Sequence, residues 1–159
     1  MKNLETLLKN YIDHVAERAT QGIPPLPLNA EQTHIVTELL EIAKPSESEY
    51  LLNLLRNRVP PGVDEAAYVK ASWLTAIVNR EKYCQFINPQ NAIEILGTMI
   101  GGYNVSSLVE IVKKEDDILS QTAANVLKKI ILVYDAVNDI FELSSKNIYA
   151  KEVIESWGK

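Results

Sequence analysis

Asn57-Arg58-Val59-Pro60-Pro61-Gly62-Val63-Asp64-Glu65-Ala66-Ala67-Tyr68-Val69-Lys70-Ala71 reads as the end of one helix, a stiffened turn and the start of the next. The prolines cannot continue a helix, because each lacks an N–H donor and its ring clashes with the preceding turn. Asp64 suits the N-cap, where a carboxylate accepts from an unpaired amide of the first turn. Ala67, Ala71, Leu74 and Val78 then recur at helical spacing, flanked by Val69, Trp73 and Ile77, with Glu65, Ser72, Thr75 and Asn79 on the polar side. So wide an apolar face predicts a helix with neighbours on two sides. Leu96-Gly97-Thr98-Met99-Ile100-Gly101-Gly102-Tyr103-Asn104 repeats the pattern. Its glycines close one helix, Tyr103 stands at the turn, and Asn104 caps the next helix.

Toward the N-terminus, Ser46 and Glu49 form an S-x-x-E box for a helix with Tyr50, Leu51, Leu54 and Leu55 on its apolar face. The helix before it starts near Asn29, with Gln32 closing a capping box, and carries Ile35, Val36, Leu39, Leu40 and Ala43 until Pro45 ends it. Residues 22–28 form a proline-rich extended connector, in which Ile23, Leu26 and Leu28 are available to pack. A first helix over 4–20 presents Leu4, Leu7, Leu8, Tyr11, Ile12, Val15 and Ala19, and Gly22 supplies its stop. Toward the C-terminus, Asn88-Pro89 opens a fifth helix with Ala92, Ile93, Leu96 and Ile100. A sixth carries Val105, Leu108, Val109 and Val112. Glu115, Asp116 and Asp117 suit the start of a long seventh helix, whose stripe runs from Leu119 through Leu127, Ile130 and Tyr134 to Phe141. Ser144-Ser145 interrupts, and Ala150, Val153, Ile154 and Trp157 make a last short helix.

No strand pattern competes, so the expected class is all-α with short connections between antiparallel neighbours. The pairs 46–57 with 64–79 and 104–113 with 116–132 share a layout, and Leu55 and Ala71 have the same separation as Ile111 and Leu127. That self-similarity suggests a short α-solenoid of about eight helices. A length of 159 residues fits one domain, spanning 1–159. With 47% apolar and 23% charged residues, the composition is that of a globular protein. A net charge of −5 without a basic cluster argues against a nucleic-acid partner. The single cysteine, Cys84, permits no internal disulfide and suits a cytoplasmic setting. Lys2 is followed by an amphipathic run and not a signal-peptide core, and no apolar stretch is long enough for a bilayer.

Reactive constellations are sparse. His14 and Glu17 stand at i and i+3, half of a carboxylate–histidine metal motif, but both fall on the polar side of the first helix. His34 has no Cys or His near it. Asp135 and Asp139, at i and i+4, resemble half of a magnesium site, though Glu142 continues them as a solvated acidic face. Cys84 has Lys82 nearby but no histidine or acid beside it. Gly97, Gly101 and Gly102 follow a helix and precede no Walker lysine, so they read as helix stops. The expectation is no catalytic, cofactor-binding or metal-binding residue, and no activity from this chain alone. If the turns do more than cap and stiffen, they form a recognition edge; Arg58, Asp64, Tyr103 and Asn104 are the candidates for it.

The wording resembles the amino-terminal HEAT-like domain of the bacterial aconitase B family. The resemblance rests on His14-Val15-Ala16-Glu17-Arg18-Ala19, Gly22-Ile23-Pro24, Pro27-Leu28, both turn blocks, Tyr149-Ala150-Lys151 and Ser156-Trp157; Asn57 to Ala71 is its most specific part. It implies a HEAT-like helical fold, with residues 29–157 forming paired helices. It also implies an enzyme that isomerises citrate and isocitrate through cis-aconitate on a [4Fe–4S] cluster held by three cysteines. None of those ligands can be placed on this sequence, so the cluster is expected in the full-length family enzyme and not here. The expected role is a non-catalytic module for protein contacts and active-site access, with the catalytic domains or a second copy as partner. The alternative is a stand-alone helical scaffold or self-association module.

Overall fold

The computed structural model describes residues 4–100, 102–130 and 136–157. Among them the regular elements are all helices: α1 (Leu4–Leu7), α2 (Lys9–Thr20), α3 (Ala30–Ile42), α4 (Pro45–Asn57), α5 (Glu65–Val78), α6 (Pro89–Leu96), α7 (Gly102–Lys113), α8 (Asp117–Leu127), α9 (Ala136–Leu143) and α10 (Ile148–Trp157). The chain is all-α. These ten elements replace the eight expected because two helices divide. Leu8, buried, separates α1 from α2. The long seventh helix stops at Leu127, where Lys129 and Ile130 donate to Val126 and Leu127 in a tightened last turn. Trp157 Nε1 adds a second hydrogen bond to the Leu127 carbonyl, at 3.2 Å. Ile131 to Asp135, within that expected helix, lie outside the described residues.

Contacts divide the chain into two compact units, one holding the residues up to Pro60 with Asp64–Lys70, the other Pro61–Val63 with Ala71 onward. In the first unit α2 ends in a full Schellman motif: Gly22 takes φ 69, its N–H donates to Ala19, and Ile23 N–H donates to Arg18. Asn29 and Gln32 form the expected reciprocal box on α3. The next box differs from expectation. Pro45 is the first residue of α4, and Glu47, not Glu49, reaches back to accept from Lys44 N–H. Proline suits this position because a first-turn N–H has no helical acceptor. Val36, Leu39 and Leu40 of α3 and Leu51, Leu54 and Leu55 of α4 are buried as the two helices pack together. Thr33 and Thr37 are buried with them, their hydroxyls donating to Asn29 and His34 carbonyls.

In the second unit α7 packs on α8 and α9, α8 lies between α6 and α10, and α9 pairs with α10. Even-numbered and odd-numbered helices thus form two layers. The core is Ile93, Leu96, Leu108, Val112, Ala123, Leu127, Ile140 and Val153. Gly97, which ends α6, has ordinary helical dihedrals, so positive φ is not its purpose. A methyl group there would overlap Val126 Cγ1 and lie 3.1 Å from Cγ2; its absence lets α6 approach α8. Asn147 is buried and bonded on both sides: Nδ2 donates to Val112 at 3.0 Å while Oδ1 accepts from Tyr149 and Ala150 amides, capping α10 and tying it to α7. Ser120 Oγ donates to Ile111 at 2.9 Å across the α7–α8 pair. Arg80 (φ 62) and Glu115 (φ 54) make the left-handed turns after α5 and α7, a place more often given to glycine.

Candidate partner surface

Arg58 stands where α4 gives way to the first turn, and its side chain faces inward. Nε donates to Tyr11 Oη at 3.2 Å, and Nη2 donates to the carbonyls of Pro25 at 2.8 Å and Leu26 at 3.3 Å. The Arg58 carbonyl accepts from Leu28 N–H at 2.8 Å. A planar guanidinium fork is suited to hold several fixed acceptors at once. Arg18 Nε donates to Pro24 O, and His14 Nε2 accepts from Leu26 N–H, both at 2.9 Å. The proline-rich connector is therefore pinned along its length, and Leu28 is buried. Arg58, half-buried, is a clamp within the fold. His14 is likewise half-buried and engaged, in place of the solvated histidine expected on the polar side of the helix. Asp64, exposed, accepts from Ala67 N–H at 2.8 Å and caps α5 as read from the sequence.

The second turn is held from within. Asn104 is only 1% exposed, so it is not available to a partner. It lies inside the first turn of α7, two residues after that helix begins, and not at the cap position expected. Its Nδ2 donates to Leu96 O, the last carbonyl of α6, at 2.8 Å and to Met99 O of the following turn at 3.2 Å. Its buried Oδ1 has no hydrogen-bond partner among the described residues. Met99 is buried beside it, and Thr98 Oγ1 donates to Ile95 O. Tyr103 is 36% exposed. Gly101 lies outside the described residues.

The two turns meet. Ile100 N–H donates to Pro61 O at 2.7 Å, so the tip of the second block is bonded to the proline of the first. Val63 and Ile100, each 66% exposed, project from this edge. Neither was among the candidates for the recognition edge; Ile100 was expected on the apolar face of the fifth helix, which instead ends at Leu96. The signal that could have found them is an aliphatic side chain at a turn tip, where a polar residue would serve capping equally well.

The sparse chemistry stays dispersed. His34 Nε2 lies 3.2 Å from Glu38 Oε1, an exposed i,i+4 pair. Glu17 is exposed and its carbonyl accepts from Thr20. Asp135 lies outside the described residues. Asp139 and Glu142 line a shallow pocket with Lys113 and Lys146. The hydrogen bond from Lys113 to Glu110, then the charge of Glu110, and further the charges of Asp139 and Glu142, hold the Lys113 ammonium above its usual pKa. Cys84 is buried, in an isolated bridge with Ile87, and lines a pocket of ≈ 420 Å³ with Ile77, Arg80, Tyr83 and Pro89. No group of three or more His, Cys, Asp or Glu side chains is placed to hold a metal ion among the described residues. Lys70, inside the first turn block, is only 2% exposed. Burial, then the nearby Arg56 charge, lowers its pKa from 10.5 to about 8.

The family model described as the Aconitate B N-terminal domain matches residues 10–159. The chain is 54% identical over 153 residues to aconitate hydratase B of Synechocystis sp., covering 96% of this chain and 18% of that protein. It is 52% identical over 152 residues to aconitate hydratase B of Pseudomonas aeruginosa and 47% identical over 152 residues to that of Escherichia coli; each match covers 95% of this chain and 17% of the relative. The chain thus spans less than a fifth of the length of the curated relatives it matches. With the match running through both turn blocks and nearly every helix, this chain belongs to the aconitase B N-terminal domain family.

Proposed function

We propose that the chain serves as a non-catalytic, HEAT-like solenoid module of an aconitase B-type enzyme, which isomerises citrate and isocitrate. In that enzyme it makes protein contacts and shapes access to the active site. The observation that carries this reading is the match itself: a family N-terminal domain that accounts for nearly all of this chain and under a fifth of each relative. The two-layer order of α6 to α10 supports a solenoid, in which each helix pair stacks on the last. The family's [4Fe–4S] cluster does not fit these residues. It requires several thiolates, and this chain has one cysteine, buried beside Ile87. The cluster and substrate groups then belong to the catalytic remainder, and a cytoplasmic setting follows from the enzyme proposed.

Calorimetric titration of the chain into the catalytic remainder of the Synechocystis relative tests this reading. Saturable binding is expected, with no citrate turnover by the chain alone. Absence of binding at high micromolar concentration would overturn it.

A further inference from the structure

The two turns that stand out in the sequence meet at one edge, where Val63 and Ile100 are exposed. Pro61 O accepts from Ile100 N–H at 2.7 Å. Behind that bond, Asn104 Nδ2 ties the Leu96 and Met99 carbonyls, Met99 is buried, and Ile100 is left pointing outward at 66% exposure beside a turn that offers Val63 at the same exposure. Capping and stiffening explain the prolines, Gly97 and Asn104. They do not explain Val63 or Ile100, since an exposed aliphatic at a turn tip gains nothing from water. The surroundings are also unusual in charge. Residues 95–109 contain no Asp, Glu, Lys, Arg or His, the longest such run in a chain that is 23% charged, and Val59 to Val63 is uncharged too. Depletion of charge around a preorganised apolar centre characterises the core of a lasting interface.

We propose that this edge, centred on Val63 and Ile100 with Tyr103 at its flank, is the surface that docks against the catalytic remainder of the aconitase B polypeptide. The inference rests on the function proposed above and names its contact face. The remainder is the occupant because more than four fifths of each relative lies outside the matched segment, and because an edge poor in charge suits a permanent neighbour better than a transient partner steered by charge. Neither Arg58 nor Asn104 belongs to this face, since the fold consumes both.

Hydroxyl-radical footprinting can be run on the isolated chain and on the full-length Synechocystis relative carrying this chain in place of its own matched segment. Labelling of Val63 and Ile100 is expected to fall several-fold in the full-length protein, while exposed Ile42 keeps its reactivity. Protection confined to other exposed apolar positions, such as Phe141 or Tyr83, would overturn the edge while leaving the docking reading intact. Protection nowhere on the chain would overturn both. Protection of Val63 and Ile100 that instead grows with the concentration of the isolated chain would assign the edge to a second copy and overturn the proposal. In the titration described above, Val63→Lys with Ile100→Lys is expected to weaken binding by about tenfold or more. Both side chains are exposed, so circular dichroism melting of the double variant should match the parent. Undiminished binding by a folded double variant would also overturn the proposal.

Discussion

Arg58 shows how one residue changes meaning between sequence and structure. In the sequence it is a candidate for a recognition edge at a helix end. Folded, it supplies three hydrogen bonds to Tyr11 and the connector. Arg58→Ala is expected to lower stability by about 1–2 kcal/mol in urea denaturation, because three hydrogen bonds from a charged donor, two of them part-buried, are lost. Arg58→Lys should recover little of this, as a single ammonium cannot reproduce the fork. Lys70 makes the opposite case, a charge buried at a cost. Its folded pKa, about 8, lies below the ordinary 10.5. Between those values the unfolded chain binds more protons than the folded chain, so this group's contribution to stability rises as pH rises from about 8 toward 10.5. Lys70→Met should therefore be more stable than the parent at pH 7 by about 1–3 kcal/mol. The gap should shrink steadily as denaturation is repeated up to about pH 10. A constant gap across that range would sink the account.

Helix boundaries were legible wherever local chemistry sets them. Gly22, the Asn29–Gln32 box, Asp64, and Asn88 with Pro89 all stand where their side chains or φ preferences placed them. Boundaries set by packing were not. Leu127 ends α8 without glycine or proline, and its carbonyl also accepts from Trp157, a partner thirty residues away. Arg80 and Glu115 adopt left-handed turns that their side chains do not advertise. Gly97 does stop α6, as read from the sequence, and it is also a contact point between α6 and α8. Gly97→Ala should cost about 1–3 kcal/mol through overlap with Val126. Adding Val126→Ala should return part of that cost, a positive coupling that a double-mutant cycle in urea would measure. Simple additivity of the two substitutions would show that α6 and α8 do not meet there.

At the scale of the molecule, charge and family membership set the boundaries of function. With −5 and no run of basic residues in the sequence, the phosphate neutralisation on which non-specific nucleic-acid affinity depends is expected to be weak. No gel shift of duplex DNA or RNA is expected at physiological salt; a shift that weakens steeply with added salt would contradict this. Among the described residues no helix is long and apolar enough to cross a membrane. The sequence by itself determined the all-α class, most helix starts and the family, because capping, proline geometry and apolar periodicity act over a few residues. Only the tertiary structure decided that Arg58, His14 and Asn104 face inward, that Lys70 is buried, and that two turns far apart in the chain share one edge. Those outcomes depend on which remote backbone carbonyls and side chains arrive beside each group, and no local pattern encodes that meeting.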